Sequence, residues 1–117
     1  MPQAPSIRKI LCSLVNCHSR AICYSAQKCE LLLLDNCSGQ EREVNLLVKA
    51  IEREITSEMI RLGKTMSVEY LLPRFTRWLS HEENIGMEEA EWSVNSWAMA
   101  LGLIAFTEKH LIPPECT

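Results

Sequence analysis

The chain has 117 residues, 47% of them hydrophobic, a formal net charge of −3 and a sequence pI near 5.6. That is the length of one globular domain, with enough apolar material for a core. The acidic balance argues against broad nucleic-acid binding, which needs a basic face to neutralise phosphates.

At the N-terminus, Pro2, Pro5 and polar neighbours interrupt any apolar run of secretory-signal type. The longest uncharged run, Trp92 to Thr107, has 16 residues, short of the ~18 or more expected of a membrane-spanning helix. The chain is therefore expected to be soluble and cytoplasmic, with no membrane span and with its thiols reduced.

Ile7, Ile10, Leu11, Leu14 and Val15 follow the spacing of one helical face, so a first helix starts at Pro5 or Ser6 and ends near Asn16–Ser19. Arg20 to Gln27 has no clean period and reads as a loop or short helical turn. Ser25 is placed to cap a second helix through Ala26, Cys29 and Leu31–Leu34. Four consecutive leucines cannot share one face; either two sides of that helix are buried or part of the run is exposed.

Ser38 and Glu41 have capping-box spacing ahead of a third helix with the stripe Val44, Leu47, Val48, Ile51 and Ile55. Thr56 or Ser57 then caps a short element ending at Gly63, a candidate left-handed C′ residue. Val68, Leu71, Leu72, Phe75, Trp78 and Leu79 continue the helical period. Pro73 falls inside it, predicting a kink or a fresh start. A turn over His81–Gly86 leads into the last helix, whose first turn carries Glu88 and Glu89, favourable to the helix dipole. Gly102 either stops that helix or thins it.

No stretch alternates with period two for long enough to form a sheet. The fold class is all-α: a single compact bundle of five or six short helices over 1–117, with 1–5 and 110–117 as extended tails.

Three segments carry a resemblance: Leu31-Leu32-Leu33-Leu34-Asp35, Glu43-Val44-Asn45-Leu46-Leu47-Val48-Lys49-Ala50, and Trp92-Ser93-Val94-Asn95-Ser96-Trp97-Ala98-Met99-Ala100-Leu101-Gly102. Over roughly residues 29 to 103 the chain resembles a short helical module that recurs in bacterial, including cyanobacterial, proteins. That module stands alone or is fused to signalling, kinase-like or chaperone-like domains. The resemblance implies an accessory or interaction role with no catalytic chemistry and no cofactor.

On a helical wheel Ala90, Val94, Trp97, Ala98 and Leu101 share one face of the last helix. Trp92, Ser96, Met99 and Leu103 fall nearly opposite, with Asn95 at the edge. A helix apolar on both sides is either central to the bundle or half covered by a partner. Small residues Ala98, Ala100 and Gly102 favour the central position. In the partner reading, Trp92, Ser96, Met99 and Leu103 form the docking surface for a protein or a second copy of the chain. Arg42, Lys49 and Arg53 align on the third helix with Leu46 between them, and read as a solvated ridge.

The cysteines are Cys12, Cys17, Cys23, Cys29 and Cys37, with Cys116 apart. Zinc sites usually bring thiolates as close pairs two to four residues apart, a spacing that only Cys12 and Cys17 approach. Buried inert thiols are the plain reading; a metal- or redox-responsive regulator using Cys12, Cys17, Cys23 and Cys29 is the alternative. His18, His81 and His110 are scattered, the glycines are isolated, and adjacent glutamates diverge on a helix. A small enzyme is thus the remotest reading. The expected function is a non-catalytic helical interaction or adaptor module.

Overall fold

Hydrophobic periodicity becomes a series of helices within residues 7–36 and 40–104, the residues that the computed structural model describes. The order is α1 (Ile7–His18), a 3₁₀ segment (Ser19–Tyr24), α2 (Ala26–Asn36), α3 (Glu41–Glu52), α4 (Ile55–Leu62), α5 (Val68–Glu83) and α6 (Met87–Ala100). Among the described residues the bundle is all-α, and no helix is long and apolar enough to cross a membrane. The predicted tails at 1–5 and 110–117, with Cys37, Ser38, His110 and Cys116, lie outside the described residues.

α6 is the central helix, packed against α5, α3 and α1. Ala90, Trp92, Ser93, Val94, Ser96, Trp97, Ala98 and Met99 are all buried. Its serines are accommodated because each hydroxyl finds an acceptor. Ser93 Oγ donates to the Leu46 carbonyl at 2.8 Å and Ser96 Oγ to the Trp92 carbonyl at 2.7 Å. Trp97, fully buried, donates its indole N–H to the Leu47 carbonyl at 3.0 Å. α3 and α6 are thereby stitched together at successive carbonyls.

Helix ends follow local chemistry. The Lys28 N–H donates to Ser25 Oγ at 3.2 Å, so Ser25 caps α2 as its position predicts. Within the leucine run Leu33 is buried, Leu32 partly so, and Leu31 and Leu34 are exposed. α6 stops at Gly102, which is left-handed at φ 80°. The Leu103 N–H reaches back to the Ala98 carbonyl (2.8 Å) and the Gly102 N–H to that of Met99 (3.1 Å), a Schellman motif. Asn84, also left-handed, ends α5.

Four local expectations are corrected. Gln40, not Ser38, precedes α3, so Glu41 is the first helical residue and not the third position of a capping box. The apolar stripe does not run through Ile55 on one helix, because Glu54 is left-handed at φ 62° and starts α4 anew. Gly63 is right-handed, at φ −62°. Space requires it: a Cβ there would lie 2.7 Å from the Met59 carbonyl oxygen and 2.9 Å from Leu103 Cδ2. Of the kink or fresh start expected at Pro73, the fresh start does not occur, since α5 runs through it. Pro73 and Glu69 are both exposed, so water can take the Glu69 carbonyl that the missing N–H leaves.

Candidate docking face

The face of α6 expected to bind a partner is interior. Trp92, Ser96 and Met99 are buried, and Leu103 is half-buried against Gly63. α1 supplies the cover. Arg8, itself 1% exposed, donates from Nε to Ser96 Oγ at 2.8 Å and places its guanidinium 5.6 Å from the Trp92 ring centroid. The cation sits on the negative face of the indole, an attraction that strengthens away from water. The Trp92 Nε1–H is buried with no hydrogen-bond partner among the described residues. The docking reading at Trp92, Ser96, Met99 and Leu103 is corrected accordingly: these residues are covered within the chain, Trp92 and Ser96 by the first helix.

The basic ridge of α3 is also more than a solvated face. Arg42 pairs with Glu89 at the start of α6. Lys49 and Arg53 both reach Glu83 at the end of α5, at 2.9 and 2.5 Å, and Arg53 also approaches Glu82 at 3.5 Å. Hydrogen bonds from Lys49 and then Arg53 hold the Glu83 carboxyl below the usual carboxylate range. Leu46, expected between these cations on the solvent side, is buried. Glu89 serves twice, its carboxylate also accepting the Gly86 N–H at 3.3 Å.

The four cysteines of the regulator reading are dispersed in environment. Cys17 is exposed, Cys12 half-exposed, Cys23 and Cys29 buried. Burial, with Cys23 and Glu30 adding to it, pushes the Cys29 thiol up to about 12. Such a thiol is a poor nucleophile and a poor metal ligand, both roles requiring the thiolate. Among the described residues no three His, Cys, Asp or Glu side chains gather as a metal site.

Aromatic surface is concentrated instead on α5. Leu71, Phe75, Thr76 and Leu79 point inward. Tyr70 and Trp78 on α5, and Met87 at the start of α6, are 52%, 40% and 49% exposed. Trp78 leans on Phe75, ring centroids 6.3 Å apart and tilted by 30°. Tyr70 is braced by Arg74, whose guanidinium lies 5.2 Å from the ring centroid and donates to the hydroxyl at 3.1 Å.

Hollows flank Trp78 on both sides. One, of about 260 Å³, lies between α4 and α5 and is lined by Leu62, Leu71 and Phe75 with Glu58 and Arg74. The other, shallower, runs past Arg77, His81, Ile85 and Met87. A separate groove of about 660 Å³ between α5 and α6 carries Leu72, Pro73 and Met87 among the carboxylates Glu69, Glu88 and Glu91. The spacing gives no signal for this face: Trp78 stands seven residues beyond Leu71 and three beyond Phe75, at the edge of the same helical stripe. Comparison of the chain with protein-family models, curated proteins and solved structures finds no match.

Proposed function

We propose that this chain is a non-catalytic helical interaction module that docks on a protein partner through the outer face of α5. Trp78 is its anchor, with Tyr70 and Met87 beside it. The observation that carries the reading is the exposure of Trp78, when Trp92 and Trp97 are both buried. Large aromatic and Met side chains are residue types enriched at interface hot spots and adaptable binding surfaces.

The test is site-specific crosslinking. A photoreactive phenylalanine analogue replaces Trp78 in one variant and exposed Lys64 in another. A protein trapped from position 78 and not from 64, which also binds the purified chain and is released by Trp78→Ala, supports the reading. Identical capture from both positions, or binding that survives Trp78→Ala, counts against it.

A further inference from the structure

Beyond the Trp78 anchor, we propose that the groove between α5 and α6 binds a cationic amphipathic helix of a protein partner. The groove, of about 660 Å³, combines the apolar surface of Leu72, Pro73 and Met87 with the exposed carboxylates of Glu69, Glu88 and Glu91. Arg77 is the one cation among its lining residues, so three carboxylates meet a single guanidinium and the groove is net negative. None of these four charges forms an ion pair among the described residues. Lack of a partner is not what distinguishes the three acids, since exposed Asp35 has none among the described residues either. Their distinction is position: they gather around apolar surface in one groove, the combination that an amphipathic cationic segment complements.

Local structure accounts for part of this charge. Glu69 lies in the first turn of α5 and Glu88 in that of α6, where the helix dipole favours an acid. Glu91 lies past the first turn and three residues from Glu88, a like-charge spacing that weakens a helix. A cation from outside relieves that repulsion. A single metal ion does not match the arrangement, because among the described residues no three His, Cys, Asp or Glu side chains gather as a metal site. The complement is therefore extended, with cations at more than one point. The groove runs from 69 to 77 on α5 and from 87 to 95 on α6, roughly 12 Å at 1.5 Å per residue. About two turns of helix match that length, with an apolar stripe against Leu72 and Met87 and Lys or Arg at its edges. The negative groove disfavours a phosphate backbone and an anionic bilayer alike.

The full chain, isotope-labelled at nitrogen, is titrated with three helix-stabilised peptides sharing one Leu/Met stripe and flanked by Lys, Gln or Glu. Calcium chloride is the fourth probe. The side-chain amide of Asn95 lines the groove and reports on it, while the Trp78 indole N–H reports separately on the docking face. The Lys peptide is expected to shift the Asn95 resonance and to weaken with salt. It should lose about fivefold in affinity with Glu91→Gln and keep its affinity with Asp35→Asn. Equal loss in the two variants, or equal binding of the Gln or Glu peptide at Asn95, overturns the inference. A saturable calcium shift at Asn95 overturns it in favour of a metal site. An Asn95 shift on concentrating the chain alone overturns it in favour of a second copy. No movement of Asn95 with any probe overturns it outright, whereas the Trp78 resonance and the crosslinking decide the docking face by themselves.

Discussion

Arg8 and Ser96, 88 residues apart in sequence, meet inside the bundle with Nε 2.8 Å from Oγ. This contact ties α1 to α6 and, with the Arg8–Trp92 stacking, closes the face that would otherwise need a partner. Ser96→Ala removes the acceptor and leaves the buried Arg8 donor short of one bond, a loss expected to cost ~1–3 kcal/mol. Arg8→Met keeps much of the stem's packing and should cost less than Arg8→Ala. Urea denaturation of the three variants gives the ranking; a Ser96→Ala protein as stable as the parent would show that the contact does not hold α1 in place.

Trp97 makes two contributions that can be separated. Its ring fills the centre of the core, and its Nε1–H binds the Leu47 carbonyl. Trp97→Ala should destabilise by ~3–5 kcal/mol through the cavity it leaves. Trp97→Phe leaves a smaller void and a Leu47 carbonyl still inside α3, so the expected loss is smaller, on the order of 1–2 kcal/mol. Equal losses for the two variants would contradict this division.

Gly63 and Gly102 are glycines for different reasons, and alanine scanning distinguishes them. Alanine at 63 meets Met59 and Leu103, whereas alanine at 102 meets nothing within 4 Å and suffers only from its positive φ. Gly102→Ala should therefore cost about 1 kcal/mol regardless of its neighbours. Part of the Gly63→Ala loss should disappear in a Leu103→Ala background, because the truncated side chain clears Cδ2. A thermal-denaturation double-mutant cycle reads that coupling, and strict additivity would rule out the steric account.

Acid should loosen the junction of α3 with the end of α5. The folded Glu83 carboxyl is held below its unfolded value by Lys49 and then Arg53. Its stabilisation is complete above the ordinary carboxylate value of about 4.3 and is lost as pH falls through the lower folded value. Glu83→Gln should accordingly be less stable than the parent at neutral pH, with the gap narrowing on acidification. Urea midpoints followed from about pH 6 to about pH 3 test the sign; a gap that widens on acidification would reverse it.

Thiol chemistry should divide the cysteines by position. Exposed Cys17 is expected to react with a disulfide reagent in the folded protein. Cys29 should wait for unfolding, since its buried thiol titrates only near 12. Mass mapping after brief native labelling checks this, and rapid modification of Cys29 would mean that α2 opens readily.

The sequence by itself determined the all-α class and the rough positions of the helices, because a 3.6-residue period of apolar side chains is a local property. It also marked Ser25 as a cap and exposed the ambiguity of α6, whose two apolar faces are plain on a wheel. Only the tertiary structure decided which cover each face receives. Arg8 looks like any charged residue near a chain end until Ser96 and Trp92 are brought beside it. Arg42, Lys49 and Arg53 look solvated until Glu89 and Glu83 arrive from two other helices. Trp78 shares the helical period of Phe75 and Leu79, yet it faces outward. Periodicity fixes which side chains share a helical face, but burial depends on long-range packing between helices, and that is a property of the assembled bundle.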